Sequence, residues 1–598
     1  MTATTLPEMF LDTVITHGSK TALMSKVEGQ YQGFNYQEFG ERVKKLALGL
    51  ASLGIKKGDR ISLLSENRPE WAIADLAILA LGAINVPIYP SLGPKQIEYI
   101  LNDSEAKAII TSTPDQTGKI AEIIKNLPVL KHIIYMEPPA SLTEKMLSFN
   151  EVSDKGQEFD KDNPDFYDQS IKSVTPDDPA GIIYTSGTTG NPKGAILTHN
   201  NILSNVMGGV ATLKIGPDDT FLSFLPLCHV FERMAGHFCA ISAGSTIAYA
   251  ESIDTVAQNL GEVKPTIMTS VPRLFEKMYT RVLENVEAGG AAKKRIFNWA
   301  IKTGTKYVEA SEQDKVGGAL KFKHNLAHKL VFSKLHERVG GKLRFFISGG
   351  APLPKDIGEF FHYAGIKILE GYGLTESSPV IAVNLEEKFK FGTVGPALEK
   401  GGVEVKIADD GEILTRGPHV MKGYYKKPAE TKEVIDEDGW LYTGDIGFQD
   451  EDGYLVITDR KKNILVTSGG KNIAPAPIEN LLLTSPLIDQ ILIIGNKRKF
   501  LSALIVPNFE ALQSYANEQN ISSKANSELV TNQKIYQFVA NEVERLSADL
   551  ARFEQVKAFR LLPEPFTIEA GELTPTLKIK RKVVEEKYAD FINGMYPE

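Results

Sequence analysis

The feature that most constrains this chain is an alternation. From about residue 35 onward, short apolar runs rich in β-branched residues give way, again and again, to longer segments with helical periodicity. Arg60–Ser65 reads as a strand and Pro69–Leu81 as a helix with proline in its first turn. Ala106–Thr111, Ile120–Leu127 and Lys131–Tyr135 repeat the strand–helix–strand order. Later strands are expected at Ile182–Thr185, Ser245–Ala250, Thr266–Ser270 and Leu343–Ser348. Strands separated by helices pair in parallel, so the expected class is α/β, with sheets covered by helices. No fixed-period repeat occurs, which excludes a solenoid or a propeller.

The chain has 598 residues, enough for several cores. After about residue 400 the texture changes to short strands and Gly-Asp turns, as in ADDGEIL and DEDGYLVI. A boundary near Arg460 follows, with a large N-terminal domain over 1–460 and a smaller α/β domain over 461–598. Residues 151–178 carry nine acidic and three basic side chains and read as an exposed acidic loop. Residues 273–340 read as mainly helical, and 293–344 hold 13 Lys and Arg against four Asp and Glu. The net charge of −8 argues against a general nucleic-acid binder. Two cysteines, Cys228 and Cys239, with no CxxC, argue against a disulfide framework or a structural zinc and for a reducing compartment. MTATTLPEMF shows no signal-peptide pattern. The longest clean apolar run, Leu76–Ile84, is far shorter than the about 20 residues of a membrane span. The expected location is cytoplasmic, with any membrane contact peripheral.

Six segments carry chemistry. Tyr184–Gly194, YTSGTTGNPKG, follows a strand and gives eight of its eleven positions to Gly, Ser, Thr and Lys, the donors that cradle a phosphate. It does not fit a Walker loop. SGGAPLP (348–354) and LEGYGLTESSP (369–379) follow apolar strands, where α/β sheets take ligands. Gly371 and Gly373 would let backbone approach a flat ligand while Tyr372 stacks on it, and Glu376 is a hard oxygen ligand suited to Mg²⁺. In DGWLYTGDIG (438–447), Asp445 could accept two ribose hydroxyls or form a plain Asx-turn. TDRKKNILVTSGGKNIAPAPIE (458–479) opens on a cation cluster at Arg460, and ELTPTLKIKRK (572–582) is basic. Gly236, Ala240 and Gly244 recur at spacing four, which on a helix leaves open space or allows close helix packing.

In this order, the six segments resemble the signature set of the adenylate-forming superfamily, which includes acyl-CoA synthetases, adenylation domains and luciferases. The run DGWLYTGDIGFQDEDGYLVITDRKK and the helical stretch 280–340 most resemble long-chain fatty-acid–CoA ligases. The resemblance spans about residues 20–585. It implies a large N-terminal domain of stacked α/β sheets and a small mobile C-terminal domain, hinged at Lys462. It implies ATP and coenzyme A as co-substrates, Mg²⁺ as cofactor, and activation of a fatty acid through an acyl-adenylate.

By match, Thr185, Ser186, Gly187, Thr188, Thr189, Gly190 and Lys193 would cradle the outer phosphates, and Thr188 and Glu376 would hold Mg²⁺. Gly349, Gly350, Ala351, Glu370, Gly371, Tyr372 and Gly373 would form the adenine slot, with Thr375 also at the nucleotide. Asp445 and Arg460 would hold the ribose. Lys578 would bridge carboxylate and α-phosphate, completing with Lys193, Glu376 and His229 the catalytic set; His229, in LPLCHVFER, would border the acyl pocket. Gly236 and Ala240 would line that pocket, and Ser468 and Gly469 would lie on the pantetheine path. No Trp stands in Phe231–Arg233, so the gate of some bacterial relatives is not carried over. Three rivals remain: loading of an acyl carrier protein, a luciferase-like oxygenase, and a non-catalytic nucleotide binder.

Overall fold

A computed structural model describes residues 3–185, 191–313, 315–523, 525–567, 570–574 and 578–596. Two eight-stranded sheets dominate the first 460 residues. In one, Ile267–Ser270, Phe345–Ser348 and Ile368–Gly373 lie side by side in parallel, with Val380–Val383 antiparallel at the edge. In the other, Arg60–Leu64 is central, flanked in parallel by Ile84–Ile88 and Ala108–Thr111. Each expected strand is present, trimmed by a residue or two at its ends, except that the 182–185 strand begins earlier, at Pro179.

The sheets are held together by a shared core. Ile61 and Leu63 from one sheet and Phe221 and Ile247 from the other belong to a single buried cluster. The helix Pro69–Ala80 lies in that cluster and is apolar nearly all round, as a helix buried on every side must be. Of its two carboxylates, Glu70 lies in the first turn, whereas Asp75 is fully buried and therefore needs a partner. Arg233 supplies it through two bonds, Nε to Oδ2 at 2.9 Å and Nη2 to Oδ1 at 2.5 Å, and the Asn85 amide donates to Oδ1 at 2.6 Å. This pair anchors the segment just after His229 to the core.

A four-stranded antiparallel sheet follows: Glu404–Ile407, Glu412–Arg416, Leu441–Gln449 and Leu455–Arg460. From Leu465 the chain builds separate cores around the three-stranded sheet Ile488–Ile494, Leu501–Pro507 and Val556–Leu561.

One sequence expectation fails, and the packing bears on a second reading that the spacing leaves open. Residues 151–178 are not a loop: Phe149–Asp162 and Phe166–Ser173 are helices. The first packs on Tyr36–Ser52 with the backbones nearly touching, since a Cβ at Gly156 would come within 1.9 Å of the Lys45 carbonyl oxygen. An interface that narrow needs few apolar residues, so the acidic composition hid it. The spacing of Gly236, Ala240 and Gly244 also does not make one open face. Glu232–Phe238 winds as a wider i→i+5 helix. A Cβ at Gly236 would meet Glu232 Oε1 at 2.6 Å, and one at Gly244 would meet the His17 ring. Close packing accounts for these residues.

Candidate active site

The phosphate-loop segment joins two antiparallel strands, Pro179–Thr185 and Lys193–Thr198, with Thr185 and Lys193 directly paired. Ser186, Gly187, Thr188, Thr189 and Gly190 lie outside the described residues. The short strand Gly423–Tyr424 pairs with Lys193–Thr198 on its other side. That addition sets Tyr424 between two sequence-distant groups: its hydroxyl donates to Glu376 Oε1 at 2.8 Å, and Lys193 Nζ lies 5.1 Å from the centre of its ring. Nothing in the sequence singles out Tyr424, because MKGYYKK offers two adjacent tyrosines and the partner lies 48 residues away.

Asp445 and Arg460 face each other across neighbouring strands, and Arg460 Nε meets Asp445 Oδ1 at 2.9 Å. The other carboxylate oxygen accepts from the Tyr372 hydroxyl at 2.7 Å. Three sequence-selected residues from two sheets thus share one carboxylate. Asp445, first among several carboxylate and phenol neighbours, raises the Arg460 pKa further.

Lys578 sits where the chain turns between Leu573 and Ile579, with its amide donating to the Thr574 hydroxyl at 3.1 Å. Its side chain is open to water yet walled by protein. Reduced hydration, and then the Arg460 charge, push its pKa down to about 8 against the pull of Asp445. The same ammonium acts on His229, whose pKa burial pushes down to about 4. His229 is therefore neutral. Its Nδ1 accepts from the Phe231 amide at 3.2 Å, which leaves the proton on Nε2. Lys578, Arg460, Asp445, Tyr372 and His229 are thus brought together, although Lys578 comes from the C-terminal part of the chain.

The glycine-rich loops have mixed causes. Gly349 lies against the Phe231 ring, where a Cβ would stand 3.0 Å from Cζ, and Gly350 has φ +83°. Gly373 is required by its own hairpin: a Cβ would fall 1.9 Å from the Pro379 oxygen. Gly371 has only ordinary contacts. The Glu370 side chain turns away to the Leu353 amide, 3.3 Å from Oε2, and burial raises its pKa to about 8. Ala351 and Thr375 lie on the turns that follow these strands.

Lys462 occupies an exposed turn between two anchors. Lys461 binds Asp410 and Glu412 at 2.6 and 2.8 Å, and Leu465 enters the C-terminal core. Ser468 and Gly469 lie in an exposed turn, with the Ser468 amide donating to Arg498 oxygen at 2.9 Å. Among the described residues, no hydrogen bond or ion pair joins them to the Asp445 cluster. Among those residues, too, no group of three or more His, Cys, Asp or Glu side chains could hold a metal by itself.

Residues 10–425 match the AMP-binding enzyme family and 462–598 match the AMP-binding enzyme C-terminal domain. The chain is 38% identical to a Mycobacterium bovis long-chain-fatty-acid–CoA ligase, FadD15, over 95% of this chain and 93% of that protein. It is 35% identical to peroxisomal long chain acyl-CoA synthetase 6 of Arabidopsis thaliana, over 95% and 82% of the two chains. Among solved structures, the adenylation domain of a Mycobacterium chelonae carboxylate reductase superposes with a TM-score of 0.76 at 21% identity, covering 99% of this chain and 91% of that one. The anthranilate CoA ligase AuaEII, bound to anthranoyl-AMP, gives 0.74 at 21%, covering 99% and 98%, so both establish a shared fold. Taken with the two-part match along its length, the chain belongs to the AMP-binding, adenylate-forming enzymes, in their long-chain fatty-acid–CoA ligase branch.

Proposed function

We propose that the cleft around Asp445, Arg460 and Lys578 binds ATP and activates a long-chain fatty acid to its coenzyme A thioester. The carboxylate attacks the α-phosphate, giving acyl-adenylate and pyrophosphate; the thiol of coenzyme A then attacks the mixed anhydride and releases AMP. Asp445 accepts the ribose hydroxyls while Arg460 holds its carboxylate in place. Tyr372 packs on adenine beside Gly349 and Gly350. Lys193, with the Ser186–Gly190 loop, takes the outer phosphates. Lys578 draws the two anionic reactants together, offsetting the repulsion that otherwise opposes in-line attack. Neutral His229 presents Nε2–H at the acyl side.

The residues fit a divalent ion. Glu376 has one oxygen fixed by Tyr424, and the other suits a hard cation. With no protein-only cage among the described residues, Mg²⁺ would be shared between Glu376 and the nucleotide phosphates. Bound there, it would neutralise phosphate charge. We further assign the boundary near Arg460, with Lys462 the turning point of a mobile C-terminal domain, and peripheral contact with anionic membrane.

The observation that supports this reading is the Asp445 carboxylate held by Arg460 and Tyr372, with a cation from the C-terminal part, Lys578, within electrostatic reach of both Asp445 and Arg460. Coenzyme A-dependent pyrophosphate release across acids from acetate to oleate tests it. Rates should rise with chain length and should fall away when acyl carrier protein replaces coenzyme A. A preference for the carrier would support the rival ligase.

A further inference from the structure

We propose that the helical face bearing Phe322, Leu326 and Leu330 docks the enzyme on an anionic lipid bilayer. The proposal deepens the membrane contact named above and rests on it; the catalytic assignment does not depend on it. The helix Gly318–Ala327 runs into the wider turn His328–Phe332 and on to Ser333–Arg338. One side is already spent on the fold. Ala327, Phe332 and Leu335 are buried in the core, and His324 stacks on Tyr307 of the preceding helix, with ring centres 3.8 Å apart. The other side presents Phe322, Leu326 and Leu330 at 71%, 41% and 44% exposure. Their spacing of four places them in one row. All three are exposed, and Leu330 stays on the open side through the wider turn.

Charge identifies the occupant. Lys321, Lys323 and Lys329 are exposed beside the row and form no salt bridge among the described residues. From residue 315 to 338 there are six Lys and Arg against one Glu, in a chain whose net charge is −8. The preceding helix adds exposed Lys302 and Lys306 and a further exposed apolar side chain, Ile296. Apolar side chains flanked by lysines, projecting from a helix that lies along the surface, match the interfacial layer of a membrane. Rings and aliphatic chains enter the acyl boundary while the lysine heads stay at the phosphates. The acidic remainder of the molecule would be repelled, which fixes the orientation.

The full-length protein is sedimented with phosphatidylcholine vesicles, with and without phosphatidylglycerol, at low and high salt. Wild type should bind the anionic vesicles and release in salt. The triple change Lys321→Glu, Lys323→Glu, Lys329→Glu should weaken binding roughly a hundredfold. Phe322→Ser with Leu326→Ser and Leu330→Ser should leave only weak, fully salt-sensitive binding. Both variants should keep the wild-type melting temperature and ATP–pyrophosphate exchange with a water-soluble acid. The proposal is overturned if wild type ignores anionic vesicles, if either folded variant binds as wild type does, or if the face instead mediates self-association that the serine variant abolishes. Loss of exchange in wild type itself would overturn the catalytic reading and leave the vesicle result standing.

Discussion

Lys578 is an ammonium whose charge is conditional, since its pKa near 8 lies close to working pH. If its charge assists adenylation, kcat/KM for ATP should fall as pH rises through about 8. Lys578→Arg keeps the charge to much higher pH, so the basic limb should move up by more than one pH unit, whatever the absolute rate. A limb that stays near 8 would show that another group titrates. Glu370 titrates in the same range with a consequence for stability rather than for rate. Its folded pKa, about 8, lies above the about 4.3 of an unfolded glutamate. The stability it contributes is complete below the unfolded value and is lost as pH rises toward 8. Glu370→Gln should flatten thermal stability between about pH 5 and 8 and leave the KM for ATP unchanged, because the side chain faces Leu353 rather than the cleft. A raised KM would restore Glu370 to the nucleotide site. Asp445, Arg460 and Tyr372 were legible in the sequence because each stands in or beside a short motif of Gly, polar and charged residues, Asp445 within a strand and the other two at strand ends. Tyr424 was not, because its role comes from a two-residue strand that only the folded sheet defines.

Most elements were legible from periodicity, since a strand or helix that buries one face writes that face into the sequence. The failure has a physical cause: contacts made by backbone leave little side-chain signal. Where Phe149–Asp162 crosses Tyr36–Ser52, Gly49 and Gly156 let the helices touch, and a Cβ at either would approach a carbonyl oxygen to 1.9 Å. Gly156→Ala should therefore destabilise the protein by about 1–3 kcal/mol, the usual range for an overpacked core. Gly118→Ala, on a helix with nothing within 4 Å of the added methyl, should be neutral or stabilising by up to about 1 kcal/mol. Equal effects in thermal unfolding would mean that the crossing tolerates separation. The region after His229 differs for a second reason: the space beside Gly236 and Gly244 is taken by Glu232 and the His17 ring, contacts that spacing along the chain does not report.

At the scale of the molecule, the ordered set of motifs made the family legible, yet no motif states which orientation the parts adopt. In the structure, the Lys578 ammonium lies within electrostatic reach of Arg460 and Asp445. Crossing contacts hold that arrangement: Arg273 pairs with Asp489 at 3.3 Å, and Asp459 accepts from the Ala476 amide at 3.0 Å. If this is the adenylating arrangement, Lys578→Ala should abolish acid-dependent ATP–pyrophosphate exchange yet still convert supplied acyl-adenylate to thioester. Lys462→Pro, with φ fixed near about −65°, should do the reverse, with Lys462→Ala as the mild control. Equal damage to both half-reactions in a folded Lys578→Ala protein would remove the need for rotation. The turn that carries Lys462 has another consequence. It is an exposed tryptic site strung between two separately packed bodies, one end tied by Lys461 to Asp410 and Glu412 and the other by Leu465. A protease must pull such a strand straight to cut it, so the rate of nicking becomes a clock for how far the joint has opened.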